Sequence, residues 1–214
     1  MGATKHRNSS GQVRVYYYHI ATNTWKRRGQ DIDGEASGDM FGFSVSLSDS
    51  GDVLAAGSKS SDGGGTDSGS LRVYQYYASS NTWQKIGESI YGESAYDEFG
   101  HSTDISADGN FVVAGGRKND NVAGQDSGHV RVFSRKDSNT WTQVGREIVG
   151  ESGGDFFGRS VSLSSDGTVL AAGGIWNDGN GVDSGHVRVY KLCQTVSIHN
   201  IITDEFDYCH NFHD

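Results

Sequence analysis

Residues 155–190 read DFFGRSVSLSSDGTVLAAGGIWNDGNGVDSGHVRVY, and most of the chain repeats this string. Asp155 and the pair Phe157-Gly158 open it, and Val161 and Leu163 then alternate with Ser160, Ser162 and Ser164. A turn at Asp166-Gly167 leads into the apolar run Val169 to Gly174. An acidic, glycine-rich loop follows, reaching Ser184-Gly185, and the unit ends in Val187-Arg188-Val189-Tyr190. Upstream copies keep one period. Trp25, Trp83 and Trp141 lie 58 residues apart, each inside an Asn-Thr-Trp triplet. Phe41-Gly42, Phe99-Gly100 and Phe157-Gly158 share that spacing, as do Gly34-Glu35, Gly92-Glu93 and Gly150-Glu151, and Asp39, Asp97 and Asp155. Four independent landmarks in one register define a tandem repeat.

Each copy predicts four strands. The first, Phe41 to Ser48, alternates large apolar residues with serine, as in a sheet with one face more deeply buried. The second, Val53 to Gly57, is apolar throughout and is expected to be buried on both faces. Asp49-Ser50-Gly51, Asp108-Gly109 and Asp166-Gly167 supply the positive-φ residues of a tight hairpin between them. The third strand is Leu71 to Tyr74; a turn at Asn81-Thr82 opens the fourth, Trp83 to Ile90. Four antiparallel strands repeated every 58 residues indicate an all-β fold, a β-propeller that is partial or open, of about three blades. The division is 1–10 as a disordered N-terminus, 11–40 as a partial blade, 41–98 and 99–156 as blades, 157–192 as a partial blade, and 193–214 as a non-repeat tail.

Composition agrees. The 214 residues include 31 glycines and no proline, which suits many tight turns rather than a linker. The net charge of −9, with no basic stripe, argues against a nucleic-acid partner. No apolar run is long enough for a transmembrane helix, and residues 1–11 show no apolar leader. Met1-Gly2 has His6 where myristoylation needs Ser or Thr, and Asn8-Ser9-Ser10 is a glycosylation sequon only in a secreted chain.

The Phe-Gly pair, followed by Ala55-Ala56-Gly57-Ser58, Val113-Ala114-Gly115-Gly116 or Ala171-Ala172-Gly173-Gly174, resembles the FG-GAP repeat of integrin α propellers. The resemblance covers about residues 11–192 and implies a propeller used in adhesion or macromolecular recognition, in an extracellular setting. Two features depart from the family pattern. The proline of the second landmark is absent, and Ser106-Ala107-Asp108-Gly109 and its equivalents are too short for the roughly nine-residue calcium loop many such repeats carry. No metal or cofactor is therefore assigned.

The Ser-x-Asp-Gly turns resemble a sialidase Asp-box but lack its inserted residue and following aromatic, so they read as hairpins. His101, His129 and His186 stand where other copies hold Phe43, Ser70 and Gln12, and read as surface or rim residues rather than ligands. Arg72, Arg131 and Arg188 lie between apolar neighbours and call for a structural ion pair with a repeat acid such as Asp39, Asp97 or Asp155. In the tail, Cys193 and Cys209 with His210 and His213 match no standard zinc spacing. Near-identical copies without a unique nucleophile and base argue against an enzyme.

The expected function is a non-catalytic recognition module of adhesion type, holding a protein or glycan on one loop rim. That rim carries Asp62, Asp67, Asp120, Asp126, Asp178 and Asp183, joined by the blade-to-blade acids Glu35, Asp39, Glu93, Asp97, Glu98, Glu151 and Asp155. A strongly negative rim favours a basic partner. The alternatives are a purely structural segment and, more distantly, a propeller hydrolase. An arc of little over three blades leaves a bare face at each end, to be covered by self-association or by further blades of a longer chain.

Overall fold

The computed structural model describes residues 2–3, 8–137, 139–194 and 206–209, the last four and 193–194 by their backbone. Its strands are β1 (Gln12–Val13), β2 (Tyr16–His19), β3 (Thr24–Arg27), β4 (Ile32–Asp33), β5 (Ser44–Leu47), β6 (Val53–Ser58), β7 (Ser70–Tyr77), β8 (Thr82–Lys85), β9 (Ile90–Tyr91), β10 (Phe99–Ile105), β11 (Phe111–Gly116), β12 (His129–Arg135), β13 (Trp141–Gln143), β14 (Ile148–Val149), β15 (Ser160–Leu163), β16 (Val169–Gly174), β17 (His186–Gln194) and β18 (Phe206–Cys209). They form successive antiparallel blades. Blade I is β5-β6-β7-β8 with β9 also on β7. Blade II is β10-β11-β12-β13 with β14 on β12, and blade III is β15-β16-β17-β18. Strands β1 to β4 make a half blade that fills the third and fourth positions. The architecture is a β-propeller arc that does not close.

Within the 1–10 stretch, expected to be disordered, Gly2 and Ala3 instead run antiparallel to β1, with Ala3 N–H donating to the Gln12 carbonyl at 2.7 Å. The tail also contributes structure: β18 pairs with β17, placing Tyr208 opposite Leu192, as Trp83 stands opposite Tyr76 in blade I. The cysteine and histidine side chains of 193–214 lie outside the described residues.

The blade junctions explain the repeat's landmarks. Gly57 of blade I lies against Gly100 of blade II so closely that a Cβ on either would overlap the other's backbone or that of Ser70. Gly115 and Gly158 repeat the approach between blades II and III. The second glycine landmark of one blade thus seats the Phe-Gly pair of the next. Gly42, Gly100 and Gly158 themselves take φ of 81°, 81° and 84°, a region in which glycine has no Cβ penalty. The serines of the first strands tie the arc together: Ser44 Oγ donates to Gly100 O at 2.8 Å, Ser102 Oγ to Gly158 O at 2.6 Å, and Ser46 Oγ to Asp104 Oδ1 at 2.7 Å. Three apolar clusters fill the junctions, each shared by adjacent blades.

The expected first-strand alternation holds in blade III, where Leu163 is buried and Ser160 and Ser162 are exposed. In blade I it is reversed. Val45 and Leu47 are 39% and 43% exposed while Ser44 and Ser46 are half-buried, because, of the half blade's inner strands, only Gly2 and Ala3 are described and they do not cover that face.

Candidate functional site

Two kinds of loop share one rim and bond to each other directly. Tyr96 N–H donates to Thr66 O, Glu98 N–H to Asp67 O, Phe156 N–H to Asp126 O and Trp176 N–H to Asp155 O. The six aspartates read from sequence all stand on this rim, in three equivalent clamps: Asp62 Oδ1 accepts Asp67 N–H, Asp120 Oδ1 accepts Asp126 N–H and Asp178 Oδ1 accepts Asp183 N–H, each at 2.8 Å. Asp67, Asp126 and Asp183 take φ of 49°, 53° and 55°. In each clamp the first carboxylate shapes its loop and still faces water. Asp39, Asp97 and Asp155 differ, being 5%, 1% and 2% exposed; their carboxylates accept the backbone N–H groups of the preceding turn, Glu93 and Ser94 for Asp97, Glu151 and Ser152 for Asp155.

The arginines lie beneath this rim. Arg72 Nη2 is 3.2 Å from Asp39 Oδ2 and 3.4 Å from Glu35 Oε2, so the expected ion pair forms in blade I. In later blades the nearest acid is the glutamate instead, with Arg131 3.6 Å from Glu93 and Arg188 3.5 Å from Glu151. Each guanidinium also stands over the Phe-Gly phenylalanine of its own blade, Arg72 over Phe41 at 5.2 Å, Arg131 over Phe99 at 5.3 Å and Arg188 over Phe157 at 4.0 Å. Cation–π contact is therefore part of how these buried charges are accommodated.

Of the three repeat histidines, His101 stands on the rim and His186 is half-buried, but His129 is not a surface residue. His129 is fully buried, edge-on to Phe99 at 5.8 Å, with Nδ1 2.7 Å from Glu147 Oε2. That hydrogen bond, more than burial opposes it, holds the Glu147 carboxyl below its ordinary range. Glu93, His129 and Glu147 bring ligand atoms within 4.8 Å of one another, but Arg131 lies against Glu93 and already supplies positive charge there. His186 takes the matching place against Phe157, and burial lowers its pKa.

The inner edge of the rim carries a cluster that the repeat reading did not assemble: it placed Glu98 and His101 on the rim but not Arg117, Lys118 or Arg159 beside them, because the cluster is built where the copies differ. The equivalent positions Phe43, His101 and Arg159 stack in sequence, with Phe43 and His101 rings 4.9 Å apart and Arg159 Nη1 3.4 Å from His101 Nε2. Glu98, 8% exposed, is held by Arg117 Nε at 2.8 Å, Lys118 Nζ at 3.0 Å and Lys59 Nζ at 3.9 Å. Burial would raise its carboxyl, but hydrogen bonds from His101 and Lys118 and the charges of Arg117 and Lys59 outweigh it and hold Glu98 far below the carboxylate range. Burial and the neighbouring arginines lower His101. Phe156, under Arg117 at 5.4 Å and edge-on to Trp176 at 4.8 Å, completes an aromatic wall. The rim is therefore not uniformly negative: acidic loops surround a cationic, aromatic inner edge. The signal was present at register positions 43, 101 and 159, where one repeat column reads Phe, His and Arg.

Repeated four-stranded blades, glycine-seated junctions and a divergent inner rim define a β-propeller repeat protein. Residues 150–190 match the FG-GAP repeat, so the resemblance carried by the Phe-Gly and Ala-Ala-Gly-Gly landmarks is that of this repeat family. Among solved structures, the chain is similar to the periplasmic gluconolactonase PpgL of Pseudomonas aeruginosa at 19% identity, over 83% of this chain and 45% of that one, with a TM-score of 0.47. It is also similar to the Dos1 propeller at 14% identity, over 86% and 52%, with a TM-score of 0.35. The chain spans about half the length of these two solved chains. No curated protein matches it. No helix among the described residues is long and apolar enough to cross a membrane.

Proposed function

We propose that the chain is a non-catalytic recognition module that holds a protein or glycan on the loop rim, with the inner edge at the centre of the contact and the aspartate loops around it. One observation carries the reading. The scaffold positions recur almost unchanged from blade to blade, whereas Phe43, His101 and Arg159 and the loops 59–67, 117–126 and 175–183 diverge on the same rim. Divergence on a repeated frame is what a binding surface needs, since one partner must be met by different chemistry from each blade. The exposed Val122 and Val182, at 99% and 87%, and Tyr96, at 61%, add apolar contact points beside the acids. Glu98 supports a non-catalytic role: a carboxylate held ionised by three cations is a poor proton donor or acceptor near neutral pH.

A purely structural role has one observation in its favour, that Asp62, Asp120 and Asp178 each hold their own loop. Charge reversal separates the two. Asp120→Lys with Asp178→Lys, and separately Arg159→Glu, are compared with the parent on a glycan array and a panel of basic and acidic peptides at increasing salt. Folding is checked by circular dichroism. The recognition reading expects Arg159→Glu to abolish capture and the aspartate pair to flatten the salt dependence. Unchanged capture by both variants would move the site off this rim.

A further inference from the structure

Among the described residues, two bare faces stand at opposite ends of the arc, and they are the two halves of a contact that the molecule already makes three times. At the junction of the half blade and blade I, Val13 and Val15 share a core cluster with Tyr74 and Trp83. At the next, Leu71 and Val73 share one with Phe133 and Trp141. At the third, Val130 and Val132 meet Tyr190 and Leu192. In each case a pair of aliphatic residues on the third strand of one blade receives the aromatic of the third strand and a large residue of the outer part of the next. Indole nitrogens strengthen the first two, Trp83 Nε1 donating to Arg28 O at 2.8 Å and Trp141 Nε1 to Ile86 O at 3.1 Å.

Blade III ends the series with the aliphatic half, Val187 and Val189, 70% and 59% exposed; their equivalents Leu71 and Val73 are 0% and 1% exposed. The half blade begins it with the aromatic half, Tyr16 and Trp25, 37% and 68% exposed, against 8% and 4% for Tyr74 and Trp83. Trp25 also borders an apolar cleft of about 620 Å³ with Val15, Val45 and Leu47. Exposed apolar surface of this kind marks an association site.

We propose that copies of this chain associate head to tail, Val187 and Val189 of one copy receiving Tyr16 and Trp25 of the next. The argument is continuity: the missing partner of each face is a residue set the chain itself carries, in the register already used at three internal junctions. Each such contact joins unlike faces, and two copies related by a twofold rotation about the propeller axis can satisfy both by closing a ring. Counting the three blades and half blade of the described residues, two copies fill eight blade positions, at the upper end of the four to eight of closed propellers. This association is independent of what the rim binds.

Sedimentation equilibrium of the full chain tests it, with Trp25→Asp disabling one face and Val189→Asp the other. Both side chains are exposed, so circular dichroism should be unchanged; Trp25→Ala and Val189→Ala are the milder pair should either aspartate variant misfold. The parent is expected at twice 23.0 kDa or a higher multiple, and each variant alone at the mass of one chain. An equimolar mixture of the two variants should regain a two-chain species, because each retains the face the other lacks. A parent that stays at 23.0 kDa would overturn the proposal, and so would a single variant that self-associates like the parent, or a mixture that stays monomeric.

Discussion

Gly57, Gly115 and Gly173 occupy one repeat position, and changing each to Ala tests whether close blade contact explains the glycine of the second landmark. None of the three takes a positive φ, so backbone strain is not at issue and only space differs. A methyl at Gly57 would overlap the carbonyl oxygen of Gly100, and one at Gly115 the carbonyl oxygen of Gly158; both obstacles are backbone atoms fixed within a neighbouring blade. The blades would have to separate, straining Ser44 Oγ to Gly100 O or Ser102 Oγ to Gly158 O and the apolar clusters behind them. Overpacking of this kind costs up to about 3 kcal/mol, a fall in Tm of roughly 6–12 °C for a chain of this size. At Gly173 the methyl would meet only Ser160 Oγ at 2.6 Å, the mobile end of a side chain, with His186 O next at 3.8 Å. Gly173→Ala should stay within about 0.5 kcal/mol of the parent, or gain slightly from a less flexible unfolded chain. Urea midpoints followed by circular dichroism give the comparison. Three equal losses would refute the reasoning, since they would place the cause within the blade rather than between blades.

Two further outcomes follow from the charged groups. The depressed Glu98 carboxyl contributes stability that is present above the unfolded value of about 4.3 and is lost as pH falls toward the lower folded value. Glu98→Gln should therefore cost about 2 kcal/mol at pH 7, and the gap to the parent should shrink in melts taken progressively below about pH 4; a gap constant with pH would mean that the charge is not what Glu98 contributes. Millimolar calcium should leave Tm within about a degree or two, since binding-linked stabilisation requires a site. Asp108 and Asp166 are already engaged by Ser106 and Asn110, and by Ser164 and Thr168; a calcium shift of several degrees, lost in Asp108→Asn, would contradict this.

Reading from sequence succeeded where one repeat position has one physical job. The all-apolar second strand, the turn glycines 51, 109 and 167 at positive φ, and the pairing of Arg72 with Asp39 are local or periodic demands, legible from spacing alone. It failed where position along the arc changes the environment. Trp25 and Trp83 sit in the same triplet, yet one is 68% exposed and the other 4%, because burial at these sites belongs to the junction and not to the residue. The same reason reversed the alternation at Val45 and Leu47. His129 and His186 read as rim residues because a polar ring in a serine or glutamine column gives no sign that the Phe-Gly phenylalanine at the start of the same blade, Phe99 or Phe157, will pack against it.

The inner rim was named only in part, as Glu98 and His101, for a different reason. A repeat is recognised by discarding what varies, and the column of Phe43, His101 and Arg159 is what the alignment of copies discards. Physically it is a place where variation is free, as are the loops 59–67, 117–126 and 175–183. The first-strand serines on either side must reach the next blade, and the following glycines must seat it, but the residue after Phe-Gly faces the rim, where it meets its counterparts in adjacent blades and rim side chains such as Lys59, Glu98 and Arg117. A column with no junction to maintain can take an aromatic, an imidazole and a guanidinium in turn. Once they are there, the neighbouring Glu98 is fixed by the cations around it rather than by the repeat, so a carboxylate held far below its ordinary range stands at a position held by Met40 and Phe156 in the flanking copies.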